Sequence, residues 1–335
     1  MEGRQIILVN TWKSPVSLYM YSRLLCNVSK NIKVLDLTDE IIGKGVINLK
    51  SLLLTYTGIN ILHRLKNKED IIHYIDVGLA PLNNANTGIV TVWDNPSLVL
   101  KTDLYMDSYL MKSHFKVNIK RFSKFENVIT PTDYIKQSLE EYGFEGKIRT
   151  IYTPVRDIFQ QMPDKNEIRK SLGLPLDKIL ILSISVDIKR KNLYIVKKIS
   201  QMLDDRFKIV RVGVPINDSI TFNKIKDETL VQIYNACDML LMPSLAEGHG
   251  FPISEAFKVG LPVVASDIEV FREVAGNAAI FVDLKSEKSI INGINEAISA
   301  REELTKSGLL RSELFSLSRF KQIMLEYYQS VNNQM

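Results

Sequence analysis

The sequence predicts an α/β protein made of two doubly wound halves, each built on a parallel sheet. Three observations predict it. Short apolar runs recur along the chain, as in Ile6–Asn10 (IILVN), Ile179–Ser185 (ILILSIS) and Met239–Met242 (MLLM). Amphipathic stretches separate them, which is the alternation that βαβ units produce. The pattern restarts after Pro154, in a chain whose 335 residues exceed the usual size of one domain.

Ile6–Asn10 reads as a buried strand. Val16–Val28 has apolar residues at 16, 18, 20, 24, 25 and 28, close to helical spacing, and leads into a strand at Ile32–Leu37. Ile71–Ile75, Gly88–Trp93 and Val128–Thr130 are further strands of the first half. Pro154, Pro163 and the polar run DKNE break the periodicity between 150 and 165 and mark a linker. The second half opens with the strand Ile179–Ser185 and a helix from about Leu193. Strands at Phe207–Val212, Met239–Met242, Pro262–Ala265 and Ala279–Val282 follow. At the end of the chain Phe320, Ile323, Met324, Tyr327, Tyr328 and Val331 form one helical stripe with no strand after it. That stripe needs cover from elsewhere in the chain. The expected partition is 1–155, 156–312 and a terminal helix in 313–335.

Composition narrows the function classes. Hydrophobic residues are 45% and charged residues 24%, which excludes a disordered or collagen-like chain. Cys26 and Cys237 are solitary, which argues against a disulfide scaffold or a zinc ribbon and for a reducing cytoplasm. The apolar run near the N-terminus is too short for a signal-peptide core, and no run is long enough to span a bilayer. The net charge is +5, and residues 1–155 hold 19 basic against 15 acidic side chains. Within that half, Lys101–Glu126 interleaves Lys101, Lys112, Lys116, Lys120, Arg121 and Lys124 with five aromatic residues. Two readings stay open for it: a basic amphipathic helix lying on an anionic membrane, and an aromatic-packed helix with a solvated lysine face.

Neither G-x-G-x-x-G after a strand nor G-x-x-x-x-G-K-[ST] is present; Gly43–Gly45 and Gly248–Gly250 give only G-x-G. A dehydrogenase or a P-loop enzyme is therefore poorly supported. The informative stretch is Pro243–Asp283. A strand ends at Pro243, a loop Glu247-Gly248-His249-Gly250 follows, and a short helix runs from about Pro252 to Val259 before Gly260. Pro in the first turn and Gly past the last fit a helix start and stop. The amides of Phe251, Ile253 and Ser254 would then point out of a helix start at the carboxyl end of a parallel strand, an arrangement suited to phosphate. Glu247 and Glu255 bracket it. A carboxylate is costly beside phosphate, so hydrogen bonds from sugar hydroxyls are its natural use. His249 reads as a loop residue in an aromatic's place and Cys237 as core.

This segment resembles the E-x7-E motif of retaining GT-B glycosyltransferases, in particular glycosyltransferase family four. Leu230–Asp238, Pro262–Asp267 and Glu273–Gly276 resemble its flanks, and Ser183–Leu193 (SISVDIKRKNL) resembles the family's donor-phosphate loop. Leu314–Val331 is similar to the family's terminal helix. The resemblance implies two Rossmann-like domains facing each other across a cleft, with a C-terminal helix crossing back to the N-terminal domain. It implies a retaining, metal-independent transfer of a hexose from a UDP- or GDP-sugar to a lipid, glycan or protein acceptor, with no cofactor. The residue roles it implies are specific. Glu247 contacts the transferred sugar and Glu255 the ribose hydroxyls. Gly250, Phe251, Pro252, Ile253 and Ser254 hold sugar and distal phosphate. Arg190 and Lys191 neutralise the leaving diphosphate, and the loop Phe222–Lys226 faces the base. In such enzymes the departing phosphate itself serves as base. A cytoplasmic location follows, with peripheral contact to an anionic membrane through 101–126 as the membrane reading of that segment; nucleic acid has no motif here.

The first half departs from the family pattern. The loop Thr11–Pro15 has no glycine, and Lys13 could supply a cation instead. VTVWD puts Trp93 where histidine is common and keeps Asp94, which is open to a catalytic role or a helix cap. His73 and Asp76 are the nearby groups that could share the histidine's work. Two alternatives remain open: a silent relative that only binds nucleotide sugar, and a GT-B sugar-nucleotide epimerase.

Overall fold

The computed structural model describes residues 5–10, 16–36, 70–78, 88–106 and 108–334. The chain divides into two compact units, Met1–Thr153 with Ser318–Met335, and Pro154–Leu317. In the first unit the elements are β1 (Ile6–Asn10), α1 (Val16–Cys26), β2 (Ile32–Asp36), β3 (Ile71–Tyr74) and β4 (Ile89–Thr91). They continue with α2 (Pro96–Lys101), α3 (Tyr109–Phe122), β5 (Asn127–Thr130), α4 (Asp133–Tyr142) and β6 (Lys147–Thr150). The strands pair in parallel in the order β2-β1-β3-β4-β5-β6. Strands β3, β4 and β5 are buried along their whole length, as expected of parallel strands covered on both faces.

The second unit holds α5 (Lys165–Ser171), β7 (Ile179–Ser185), a 3-10 turn at Lys189–Lys191, α6 (Leu193–Ser200), β8 (Phe207–Gly213) and β9 (Ile220–Phe222). It continues with α7 (Asp227–Ala236), β10 (Met239–Met242), α8 (Phe251–Lys258), β11 (Val263–Ser266), α9 (Glu269–Ala275), β12 (Ala279–Val282), α10 (Glu287–Ser299) and α11 (Arg301–Ser312). Its parallel order is β12-β11-β10-β7-β8-β9. The chain winds outward from β7 to β9, then returns to place β10 on the other side of β7. The carboxyl ends of β7 and β10 therefore flank the point where the winding reverses, where open α/β sheets leave a crevice for ligands. Phe315 stays with this unit: its carbonyl accepts a hydrogen bond from the Val155 amide at 2.8 Å.

The terminal helix α12 (Leu317–Gln334) packs into the first unit and its stripe is covered there. Phe320, Met324, Tyr327, Tyr328 and Val331 are all buried. Each such side chain contributes roughly 1.5–3 kcal/mol on full burial, so the helix is part of that unit's core and not a tail. Polar ties add register. The two ring nitrogens of His73 lie 2.8 Å from Tyr328 Oη and 2.8 Å from Thr91 Oγ1, and burial pushes the imidazole pKa down to about 3. His73 is thus a neutral strut between β3, β4 and α12. Tyr21 meets the Trp93 ring edge-on at 4.7 Å and the Phe320 ring at 5.9 Å.

Residues 101–126 do not form one helix. α2 ends at the C-cap Thr102, and Ser108 caps a new helix by accepting from the Met111 amide. Among the described residues no helix is long and apolar enough to cross a membrane.

Candidate active site

The second unit brings together three residues that are far apart in the chain. Glu247, in the loop after β10, is 5% exposed. Its carboxylate accepts a hydrogen bond from Arg190 Nη1 at 2.5 Å and another from Lys191 Nζ. Both cations come from the 3-10 turn after β7. That turn is closed by Lys191 N to Ile188 O at 2.9 Å and Asn192 N to Lys189 O at 3.1 Å, with Asn192 in the left-handed region. Asparagine tolerates this conformation better than most side chains. The two loops are joined directly: the Leu245 amide donates to the Arg190 carbonyl at 2.7 Å. Burial alone would raise the Glu247 pKa, but the adjacent Lys191 and Arg190 charges outweigh it and hold the carboxyl below its ordinary value. At neutral pH the cluster is two cations and one carboxylate.

Helix α8 begins beside this cluster. Gly250 caps it at φ +87°, and a Cβ there would fall 2.6 Å from a ring carbon of Phe271. Glycine is required at this position on both counts. Pro252 in the first turn has no amide to satisfy. The amide array expected at this helix start needs one correction. The Ile253 amide is bonded to the Gly250 carbonyl at 2.9 Å, closing the first turn. The Ser254 hydroxyl likewise donates to the Phe251 carbonyl at 2.9 Å. Ile253 and Ser254 are buried, while Phe251 and Pro252 are partly exposed. The His249 ring takes an aromatic's place in the packing, 5.2 Å from the Phe251 ring and edge-on to Phe315 at 5.5 Å.

Glu255 lies in the first turn of α8. Tyr234 Oη, from α7, donates to its carboxylate at 2.7 Å. Burial pushes the Glu255 pKa up to about 7, against the opposing pull of the Tyr234 bond and the Arg156 charge, with Asp227 pushing the same way as burial. Arg156 is itself paired with Asp227 at 2.5 Å. Two glutamates eight residues apart thus differ in state: Glu247 is ionised against cations, and Glu255 is poised to titrate near neutrality.

One supporting residue was not visible as such in the sequence. Arg211, one of two cations in β8 with Lys208, is fully buried. Its guanidinium donates to the carbonyls of Ser183 at 3.0 Å, Ser185 at 2.5 Å, Val212 at 2.9 Å and Val214 at 3.2 Å. Burial lowers its pKa to about 10. It ties the carboxyl end of β7, just ahead in the chain of the turn that carries Arg190 and Lys191, to that of β8. Its sequence signal was a charge set between valines in the apolar part of the strand. Cys237 is buried core, and burial pushes its thiol up to about 12.

In the first unit Asp94 is partly buried just after β4. The cap of α2 is Asn95, whose Oδ1 accepts from the Ser97 amide at 2.9 Å and the Leu98 amide at 3.2 Å, so the capping role falls to Asn95. Trp93 Nε1 donates to the Ile75 carbonyl at 2.7 Å, and Asp76 Oδ1 accepts from the Gly78 amide at 2.7 Å. His73 and Asp76 are thereby committed to local structure. Lys13 with the loop 11–15, and Gly43–Gly45, lie outside the described residues. Among the described residues no group of three or more His, Cys, Asp or Glu side chains is placed to hold a metal.

Comparisons with known proteins bear on the fold and on the second unit. Residues 164–308, which include the whole cluster, match the family model of glycosyl transferases group 1. The O-antigen chain mannosyltransferase RfbU of Salmonella typhimurium strain LT2 is 27% identical over 206 residues, covering 55% of this chain and 55% of the relative. The chain thus spans about half the length of this curated relative. Among solved structures, sucrose-phosphate synthase from Thermosynechococcus elongatus superposes with a TM-score of 0.77 at 14% identity, over 99% of this chain and 100% of that one. Anabaena HepE, solved in complex with UDP and glucose, gives a TM-score of 0.76 at 14% identity over 97% of this chain and 99% of that one. Residues 164–308 are therefore similar to the glycosyl transferases group 1, within a chain of GT-B glycosyltransferase fold.

Proposed function

We propose that this protein is a glycosyltransferase that moves a hexose from a nucleoside diphosphate sugar to a glycan acceptor, with retention and without a resident metal or cofactor. The observation that carries the reading is Glu247 held between Arg190 and Lys191 where the winding of the second sheet reverses, beside the start of α8. Loss of a diphosphate builds negative charge, and two fixed cations stabilise it as it forms. Glu247 orients those cations and accepts from a sugar hydroxyl. Glu255 takes the ribose hydroxyls. Gly250 and Phe251 let the backbone approach the phosphates, while Pro252, Ile253 and Ser254 set the angle of α8. Asp94 is the candidate catalytic residue of the first unit. RfbU is named a mannosyltransferase and HepE was solved with UDP and glucose, which supports a hexose donor on a nucleotide, mannose being the first to try. The reaction is placed in the cytoplasm.

Binding of a nucleotide sugar tests the site through Glu255. Its carboxyl titrates near 7, and only the ionised form accepts two ribose hydroxyls. Affinity should therefore rise with pH, by about tenfold from about pH 6 to about pH 8 if only the ionised form binds. A nucleotide sugar is the right probe because its diphosphate is esterified at both ends and does not titrate in this range. Calorimetry of the wild type and Glu255→Gln checks this. The variant should bind more weakly and show a flat profile; a flat wild-type profile would remove Glu255 from the ribose site.

A further inference from the structure

Helix α3 carries a surface that includes none of the residues assigned to the transfer reaction. Its inner face is buried through Phe115, Asn118, Ile119 and Phe122. Its outer face exposes apolar side chains: Tyr109 is 82% exposed, Leu110 78%, Met111 44% and Val117 48%. Single exposed apolar residues are ordinary on a protein surface, but three in succession at the start of a helix are not. Leu110 and Val117 are seven residues apart and lie on one stripe; Tyr109, Lys116 and Lys120 form the neighbouring stripe. The helix bears Lys112, Lys116, Lys120 and Arg121 and no carboxylate. Lys101 and Lys124, just beyond the helices, are exposed as well. The neighbouring carboxylate Asp103 is taken by Lys112 at 2.6 Å, and Glu126 is exposed past the end of the helix; Asp107 lies outside the described residues.

From this pairing of apolar tip and lysine flank we propose that the outer face of α3 docks on the surface of a bilayer containing anionic phospholipid. The two halves of the surface have different tasks. The lysines are drawn to the negative headgroups, and Tyr109, Leu110 and Met111 enter the boundary between headgroups and acyl chains. Neither signal alone anchors a protein firmly; together they give reversible, salt-weakened attachment. A partner offering only phosphates, such as a nucleic acid, would use the lysines and leave the outermost apolar residues without a role. This inference stands apart from the transfer reaction, since docking needs no sugar donor.

The test is sedimentation of the full chain with sucrose-loaded vesicles of phosphatidylcholine alone and of phosphatidylcholine mixed with phosphatidylglycerol. The wild type should pellet with the mixed vesicles and remain in solution with the neutral ones. Tyr109→Ser with Leu110→Ser, and separately Lys116→Ser with Lys120→Ser, should each weaken partitioning about tenfold or more. All four positions are exposed, so both variants should keep the wild-type circular dichroism and melting temperature. Equal recovery of the wild type from both vesicle types would overturn the proposal. So would an apolar variant that pellets like the wild type, or mixed-vesicle binding that a single-stranded oligonucleotide displaces equally from the wild type and the apolar variant.

Discussion

Glu247→Ala is expected to lower the turnover of sugar transfer by roughly a thousandfold, the scale seen when a group aimed at developing charge is removed, while the affinity for nucleoside diphosphate holds or rises. The split follows from the charge balance of the site. In the wild type the carboxylate neutralises one of the two cations that grip it. Without it Arg190 and Lys191 face the diphosphate with their full charge but lose the anchor that orients them. Ground-state attraction is kept and the aligned geometry of the transition state is lost, which lowers kcat without raising KM. Stability should fall by about 3 kcal/mol, near the lower bound for breaking a buried pair, because water reaches both cations in part. Steady-state kinetics beside calorimetry with nucleoside diphosphate reads the two effects separately. Unchanged turnover would remove Glu247 from the chemistry.

Arg190→Ala combined with Lys191→Ala should act in the opposite sense on binding. Two charge-assisted contacts to the diphosphate are lost, and donor affinity should fall by about a hundredfold or more. The double variant also leaves Glu247 buried with no counter-charge. In the wild type the folded-state pKa of Glu247 lies below its ordinary value, so the group adds stability above the ordinary carboxylate range and loses it as pH falls. In the variant only the Ser244 hydrogen bond still opposes burial, the largest of the effects on this group, and burial places the folded pKa above that of the unfolded chain. Its contribution then changes sign: the penalty is present at neutral pH and fades as pH falls toward the acid range. Melting temperatures of both proteins measured from neutral to mildly acidic pH should therefore converge. Parallel curves would mean that Glu247 does not depend on these cations for its charge.

The buried strands were legible because parallel strands covered on both faces leave continuous apolar runs, as in ILILSIS and MLLM. β6 (KIRT) and β9 (ITF) were not. They are the outer strands of their sheets, only partly buried, and carry no such run. Helix α8 could be placed because Gly250, Pro252 and Gly260 punctuate it. The break between α2 and α3 does have a signal in the sequence, since Thr102–Ser108 (TDLYMDS) carries two Asp and no basic residue, but it passes unnoticed when 101–126 is read as one basic and aromatic segment. At the site, the motif could be found in sequence but its contacts could not. Glu247 meets Arg190 and Lys191 only because β10 crosses back to lie beside β7. Arg211 likewise acquires its role only once β7 and β8 present their terminal carbonyls to it. The covered stripe of α12 was legible as a demand for a partner, and His73 and Tyr328 show how the first unit meets it.

The most direct measurement is product formation from a panel of labelled nucleotide sugars, including those of mannose and glucose, with a glycan-bearing acceptor extract and with no acceptor. The proposed reaction predicts that one donor releases nucleoside diphosphate in step with label appearing on glycan, and that release without acceptor is slow. Donor binding with no release under any acceptor, or conversion to an isomeric nucleotide sugar in the absence of acceptor, would contradict it.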